Sequence, residues 1–151
     1  MSSIAKRNNE GYSDPTAYEA LIKVEKYEKI TRIDKRIVKR PAFMPIVYVC
    51  SPYSGNVKRN TEKARRFSRF VVKMGGIPFT PHLLFPQFMS DENSEERELA
   101  MFMNSIMLTK CNELWVFGSL ITEGMGFEIE KARSRGMDIR FFTNRCEEVF
   151  V

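Results

Sequence analysis

In 151 residues the chain has three cysteines, one histidine and one tryptophan, and these scarcities close several options. Cys50, Cys111 and Cys146 are odd in number and far apart. They form no disulfide framework and suit a reducing, cytoplasmic compartment. A lone histidine and no Cys-x-x-Cys pair leave no ligand set for zinc, so no metal is expected. No apolar run approaches the ~20 residues of a membrane span. The opening MSSIAKRNNE lacks the apolar core of a signal peptide. No membrane partner is expected, and neither internal repeats nor low-complexity tracts occur. What remains is enough for one core with a short appendage.

The net charge of +5 is unevenly spread. Residues 1–40 hold ten Lys/Arg and six Asp/Glu, whereas 41–151 hold fourteen and thirteen. The basic character belongs to the leader and says little about a ligand of the main domain. Charges of both signs are interspersed there, as on a solvated helix face, so nucleic acid is not expected as a partner. Ser13-Asp14-Pro15 reads as a helix start. Ala17, Ala20, Leu21, Val24 and Tyr27 follow at helical spacing, and Arg40-Pro41 ends the leader. Residues 1–41 are therefore expected as a basic helical extension, ahead of a domain over 42–151.

Pro45 to Cys50 is nearly all apolar, as a strand covered on both faces should be. The loop Ser51-Pro52-Tyr53-Ser54-Gly55-Asn56 offers hydroxyls and free amides. A helix is expected from about Asn60 to Met74, burying Ala64, Phe67, Phe70, Val71 and Met74 and stopped by Gly75-Gly76. Ile77 to Thr80 reads as a second strand, placed at a sheet edge by Pro78. Pro81 to Pro86 reads as an apolar loop able to wall a pocket. Asn93 with Glu96 resembles a capping box, and its helix carries Leu99, Phe102, Met103, Ile106 and Met107 on one face.

The most informative stretch is 113–142. Leu114 to Phe117 is a buried strand closed by Gly118. Gly124-Met125-Gly126-Phe127-Glu128 opens a helix that stops at Gly136, and Ile139, Phe141 and Phe142 give another strand. The alternation predicts an α/β three-layer sandwich with a parallel sheet of four to five strands; residues 143–151 are too short to assign. Ligands bind beyond the carboxyl ends of such strands, where the glycines fall. Gly124 and Gly126 let a ligand approach the backbone, helix-start amides favour an anionic group, and Glu128, expected in the first turn, projects at whatever is held there. A surface glutamate favoured by the helix dipole is the plainer reading of the same residue.

Val47-Tyr48-Val49-Cys50 with its hydroxyl loop, Pro81-His82, Leu114 to Phe117 and the Gly-x-Gly-x-Glu helix start occur in the order seen in the nucleoside 2-deoxyribosyltransferase-like family. Over about residues 44–142 the chain resembles that family, which includes deoxynucleoside monophosphate N-glycosidases. The resemblance implies a flavodoxin-like, Rossmann-like fold and a homodimer or higher homo-oligomer. It implies a nucleoside or nucleotide as ligand and chemistry with no cofactor. It makes Glu128 the nucleophile that attacks the sugar C1′ and Tyr48 the residue that hydrogen-bonds it. His82 would face the base, Thr122 would sit where the monophosphate hydrolases bind phosphate, and Ser51, Tyr53, Ser54 and Gly55 would form the substrate loop.

Two departures qualify the match. Where the family carries an acid in the helix before the third strand, this chain has Ser105, beside Asn104. Neither supplies a proton as a carboxylic acid does, which leaves Glu123 or Asp91 as a replacement. Pro52 stands where the monophosphate hydrolases have a serine, and Glu123 repels phosphate, although Ser51, Ser54 and Thr122 remain as donors. Three functions are thus open: cleavage or transfer of an N-glycosidic bond, non-catalytic binding of a nucleotide or nucleotide signal, and an interaction protein working through its leader.

Overall fold

The computed structural model describes residues 42–151. The helical extension expected over 1–41 lies outside the described residues. Ten elements follow in order: β1 (Ile46–Cys50), α1 (Val57–Lys73), β2 (Ile77–Phe79), α2 (Pro81–Leu84) with a 3-10 turn at Phe85–Gln87, α3 (Ser94–Leu108), β3 (Glu113–Phe117), α4 (Glu123–Ser134), β4 (Asp138–Phe142) and β5 (Glu148–Val149). They build the expected α/β fold around a five-stranded sheet ordered β2-β1-β3-β4-β5. The first four strands are parallel and β5 is antiparallel to β4. Pro78 does lie on an edge strand, where its missing N–H costs no ladder bond.

Side chains alternate across a strand, so β1 and β3 each feed two cores. Val47, Val49, Trp115 and Phe117 pack with Phe67 and Val71 of α1 and with Phe142 of β4. Tyr48, Cys50, Leu114 and Val116 pack with Leu108 of α3 and with Met125, Ile129 and Ala132 of α4. Helices therefore cover both faces, giving three layers. The α1 face is the more aromatic. Phe67 stacks on Phe117 at 4.4 Å between ring centroids, and Phe117 stacks on Phe142 at 5.1 Å. Full burial of each such ring contributes ~1.5–3 kcal/mol.

Local chemistry sets the boundaries, and several differ from expectation. Helix α1 begins at Val57, three residues early, because the Asn56 side chain accepts from the Arg59 N–H and caps it. Met74, expected in the stripe, is the C-cap and is 52% exposed. Gly76 is a close-packing residue: a Cβ there would lie 2.9 Å from Val71 Cγ1 and 3.0 Å from Val47 Cγ2. The stretch from Pro81, expected as a loop, is a short helix with proline in its first turn, where no N–H is needed. Asn93 caps α3 through the Glu95 and Glu96 amides, while the Glu96 carboxylate reaches back to the Ser90 N–H.

The α3 stripe is the largest departure. Leu99, Phe102 and Ile106 are 51%, 63% and 44% exposed, and only Leu108 of that helix is buried. At the other end of the chain, Arg140 grips Glu148 through two hydrogen bonds of 2.8 and 2.7 Å and lies over the Trp115 ring. That pairing fastens β5, so part of 143–151 does add a strand. Among the described residues no helix is long and apolar enough to cross a membrane.

Candidate functional site

The loop after β1, the start of α2 and the start of α4 enclose a cleft of about 940 Å3, walled on one side by α3 and α4. Alternation along β1 turns Tyr48 and Cys50 toward the α3/α4 face. On α4, Met125, Ile129 and Ala132 anchor the helix in the core at helical spacing. Glu128 adjoins that stripe and reaches the cleft. It is the sixth residue of α4, hence in the second turn rather than the expected first. The loss of direct dipole contact is replaced by a specific partner: the Tyr48 hydroxyl donates to Glu128 Oε1 at 2.7 Å.

Burial pushes the Glu128 carboxyl above its ordinary range, even though the Cys50 thiol and the Tyr48 hydroxyl both favour its charged form. Desolvation outweighs the two donors because the carboxylate loses bulk water on most sides. The same coupling acts on those donors. Burial, then the Glu128 charge, raises both Tyr48 and Cys50, so their protons stay where they are. The result is a carboxylate held by a proton-retaining hydroxyl, with a buried thiol nearby, and open to the cleft.

On the same cleft wall His82 and Tyr53 form a platform, their rings 4.9 Å apart and 18° from parallel. His82 Nε2 lies 2.8 Å from the Ser51 carbonyl oxygen. A carbonyl only accepts, so Nε2 carries the proton and donates. Burial lowers the His82 pKa, with the Ser51 bond and the nearby Asp91 charge opposing. The ring is therefore neutral at neutral pH, with its one N–H occupied.

Two buried polar atoms on the cleft wall have no hydrogen-bond partner among the described residues: Ser51 Oγ and Asn104 Oδ1. Ser51 is only 2% exposed, so its unpaired hydroxyl is costly unless a bound molecule or water meets it. By contrast, Ser105 Oγ donates to the Phe102 carbonyl at 2.8 Å, and Thr122 Oγ1 accepts from the Met125 N–H at 3.3 Å.

The structure brings together most of the residues singled out from sequence. Ser51, Tyr53, Ser54, His82, Ser105, Thr122, Gly124 and Glu128 line the cleft, and Tyr48 lies beneath it. Gly55 and Gly126 do not line it. Gly55 is an exposed turn residue at φ +94°, and Gly126 is a residue of α4 whose N–H bonds the Thr122 carbonyl at 2.9 Å. Sequence reasoning named Cys50 and Asn104 but gave neither a role in the site. The period-two pattern of β1 places Cys50 beside Tyr48, and Asn104 stands one helical turn before the buried Leu108, so a signal for each was present.

Comparison with known proteins supports the fold. A solved 2-deoxyribosyltransferase from the psychrotolerant bacterium Bacillus psychrosaccharolyticus, described as a biocatalyst for the synthesis of nucleosides, aligns with a TM-score of 0.56 at 13% identity. The alignment covers 70% of this chain and 77% of that one. At that identity the likeness is one of architecture: a distant fold relationship. No curated protein matches the chain. Residues 45–142 match a family described as a domain of unknown function, DUF7768, and the chain belongs to that family.

Proposed function

We propose that the cleft cleaves or transfers the N-glycosidic bond of a nucleoside or nucleotide, with Glu128 as nucleophile and Tyr48 as the residue that orients it. The observation that carries this reading is the 2.7 Å bond from Tyr48 to a partly buried carboxylate open to a ligand-sized cleft. A carboxylate with one oxygen fixed by a hydroxyl presents the other in a defined direction, as attack on a sugar carbon requires. Glu128 bonds C1′ as the base departs, and water or a second base then releases the sugar, the two-step logic of retaining glycosidases. No metal or organic cofactor is needed for either step. Ser51 Oγ and Asn104 Oδ1 are free to hydrogen-bond a ligand in the cleft.

Incubation of the protein with deoxynucleosides, ribonucleosides and their 5′-monophosphates, followed by chromatography for free base, tests the reading. Release is expected from at least one class and is expected to vanish in Glu128→Ala. Release that survives in that variant removes Glu128 from the role of nucleophile. The second reading, a non-catalytic nucleotide-binding module, is favoured by Ser105, with Asn104 beside it, standing where an acid is expected. Micromolar binding by calorimetry with no product after long incubation selects it. The exposed stripe Leu99, Phe102 and Ile106 fits assembly as a homodimer or higher oligomer, which sedimentation would test.

A further inference from the structure

Resting on the nucleophilic reading of Glu128, we infer that the preferred substrate is an N-glycoside whose leaving group is already cationic, such as a pyridinium or N7-alkylated purinium riboside. The inference starts from which groups on the cleft wall can give a proton to a departing base. His82 cannot, because its one N–H is bonded to the Ser51 carbonyl. The Ser105 hydroxyl is committed to the Phe102 carbonyl. Tyr48 donates to Glu128 itself, and Asn104 carries no acidic proton. Burial raises the Tyr53 hydroxyl, which keeps its proton, and ammonium and guanidinium groups such as Lys131 and Arg97 give protons far less readily than a carboxylic acid. The carboxylates that remain, Asp91, Glu123 and Glu130, are all exposed on the cleft's lining.

A neutral nucleobase leaves as an anion unless it is protonated, and general-acid help is worth roughly 10²- to 10⁴-fold. A cationic base needs none. Glu128 bonds C1′, the C1′–N bond breaks, and its electron pair neutralises the ring nitrogen. The base departs uncharged. Water then attacks C1′, the pair of the C1′–O bond returns to Glu128, and the water proton passes to solvent.

The surroundings suit that charge. Asp91, Glu123, Glu128 and Glu130 outnumber Arg97 and Lys131 on the cleft's lining, and the stacked Tyr53 and His82 rings, with Asp91 close enough to act on both, offer a flat π face to a cationic ring. A cation beside Glu128 also opposes the desolvation that raises its pKa. The cleft, at about 940 Å3, has room for a planar base with its sugar and further groups attached.

The test uses the full 151-residue chain and matched pairs: nicotinamide riboside against its reduced, uncharged form, and 7-methylguanosine against guanosine. Each is supplied as riboside and 2′-deoxyriboside, and kcat/KM is compared directly within each pair. Expected is a preference for the cationic member of at least ~100-fold, the lower end of a missing general acid. The two pairs distinguish pyridinium from purinium substrates. Ser105→Asp, which places an acid on the same wall, is expected to narrow the preference at least tenfold by accelerating the neutral member. Equal kcat/KM for both members overturns the inference while leaving Glu128 as nucleophile. A preference that a folded Ser105→Asp protein leaves untouched overturns it too, because the missing acid is then not its cause. No release from any member takes down the proposed function together with the inference.

Discussion

The two faces of the sheet use alternate residues of the same strand to different ends. On the α1 face, β1 contributes Val47 and Val49 to a core of stacked aromatics. On the α3/α4 face it contributes Tyr48 and Cys50, which are fully buried yet carry a hydroxyl and a thiol aimed at a carboxylate. The first face is apolar and closed. The second accepts a desolvated Glu128 and two unpartnered polar atoms beside an open cleft. Native proteins keep such arrangements chiefly where a ligand meets them, because buried polar groups otherwise destabilise the fold.

Substitutions on each face should separate folding from chemistry. Glu128→Gln is expected to produce the largest change, a loss of activity of about a thousandfold or more, equivalent to ~4 kcal/mol of barrier. Its stability should not fall. A raised carboxyl pKa favours the protonated form in the folded state, so the stabilisation is fully present below the ordinary glutamate value of 4.5 and is lost as pH rises through the folded pKa. Thermal melts across that range should show wild type losing stability with rising pH and Glu128→Gln losing less. Phe67→Ala, on the closed face, should cost ~3–5 kcal/mol in denaturant unfolding while leaving activity per folded molecule unchanged.

Tyr48→Phe comes next. Losing a hydrogen bond to a charged group costs ~1.5–3 kcal/mol, hence roughly 10- to 100-fold in rate. Because Tyr48 favours the charged carboxylate, the acid limb of the rate profile should also move to higher pH. The smallest change is expected for Ser51→Ala. Removing an unpartnered buried hydroxyl should leave stability equal or slightly higher but weaken ligand binding, measured by calorimetry. A stability loss there would mean that Ser51 has a structural partner.

The sequence revealed the two faces unequally. β1 and β3 are apolar throughout because helices cover both sides, so their identity as core strands was plain. Glu128 was legible through the glycines before it. Its turn in the helix was not, because Thr122 caps α4 ahead of them and draws Glu123 to Phe127 into the helix. Helical periodicity marked the stripe of α3 but does not say what covers it, and in the described residues Leu99, Phe102 and Ile106 face outward. Asn56 gave no apolar period at the start of α1, so its cap went unread. Cys50 escaped for another reason. Its strand position fixes the face it occupies, but only the fold shows that a helix 78 residues on presents a carboxylate there.

The central claim is that Glu128 forms the bond to the sugar. The most direct test is to quench the protein during turnover of a substrate it cleaves and map the modification by peptide mass spectrometry. The expected result is a pentosyl adduct on the peptide containing Glu128, localised to that side chain and absent from Glu128→Gln. A sugar carried on another residue, or steady turnover with no adduct under conditions that make its release slow, would contradict it.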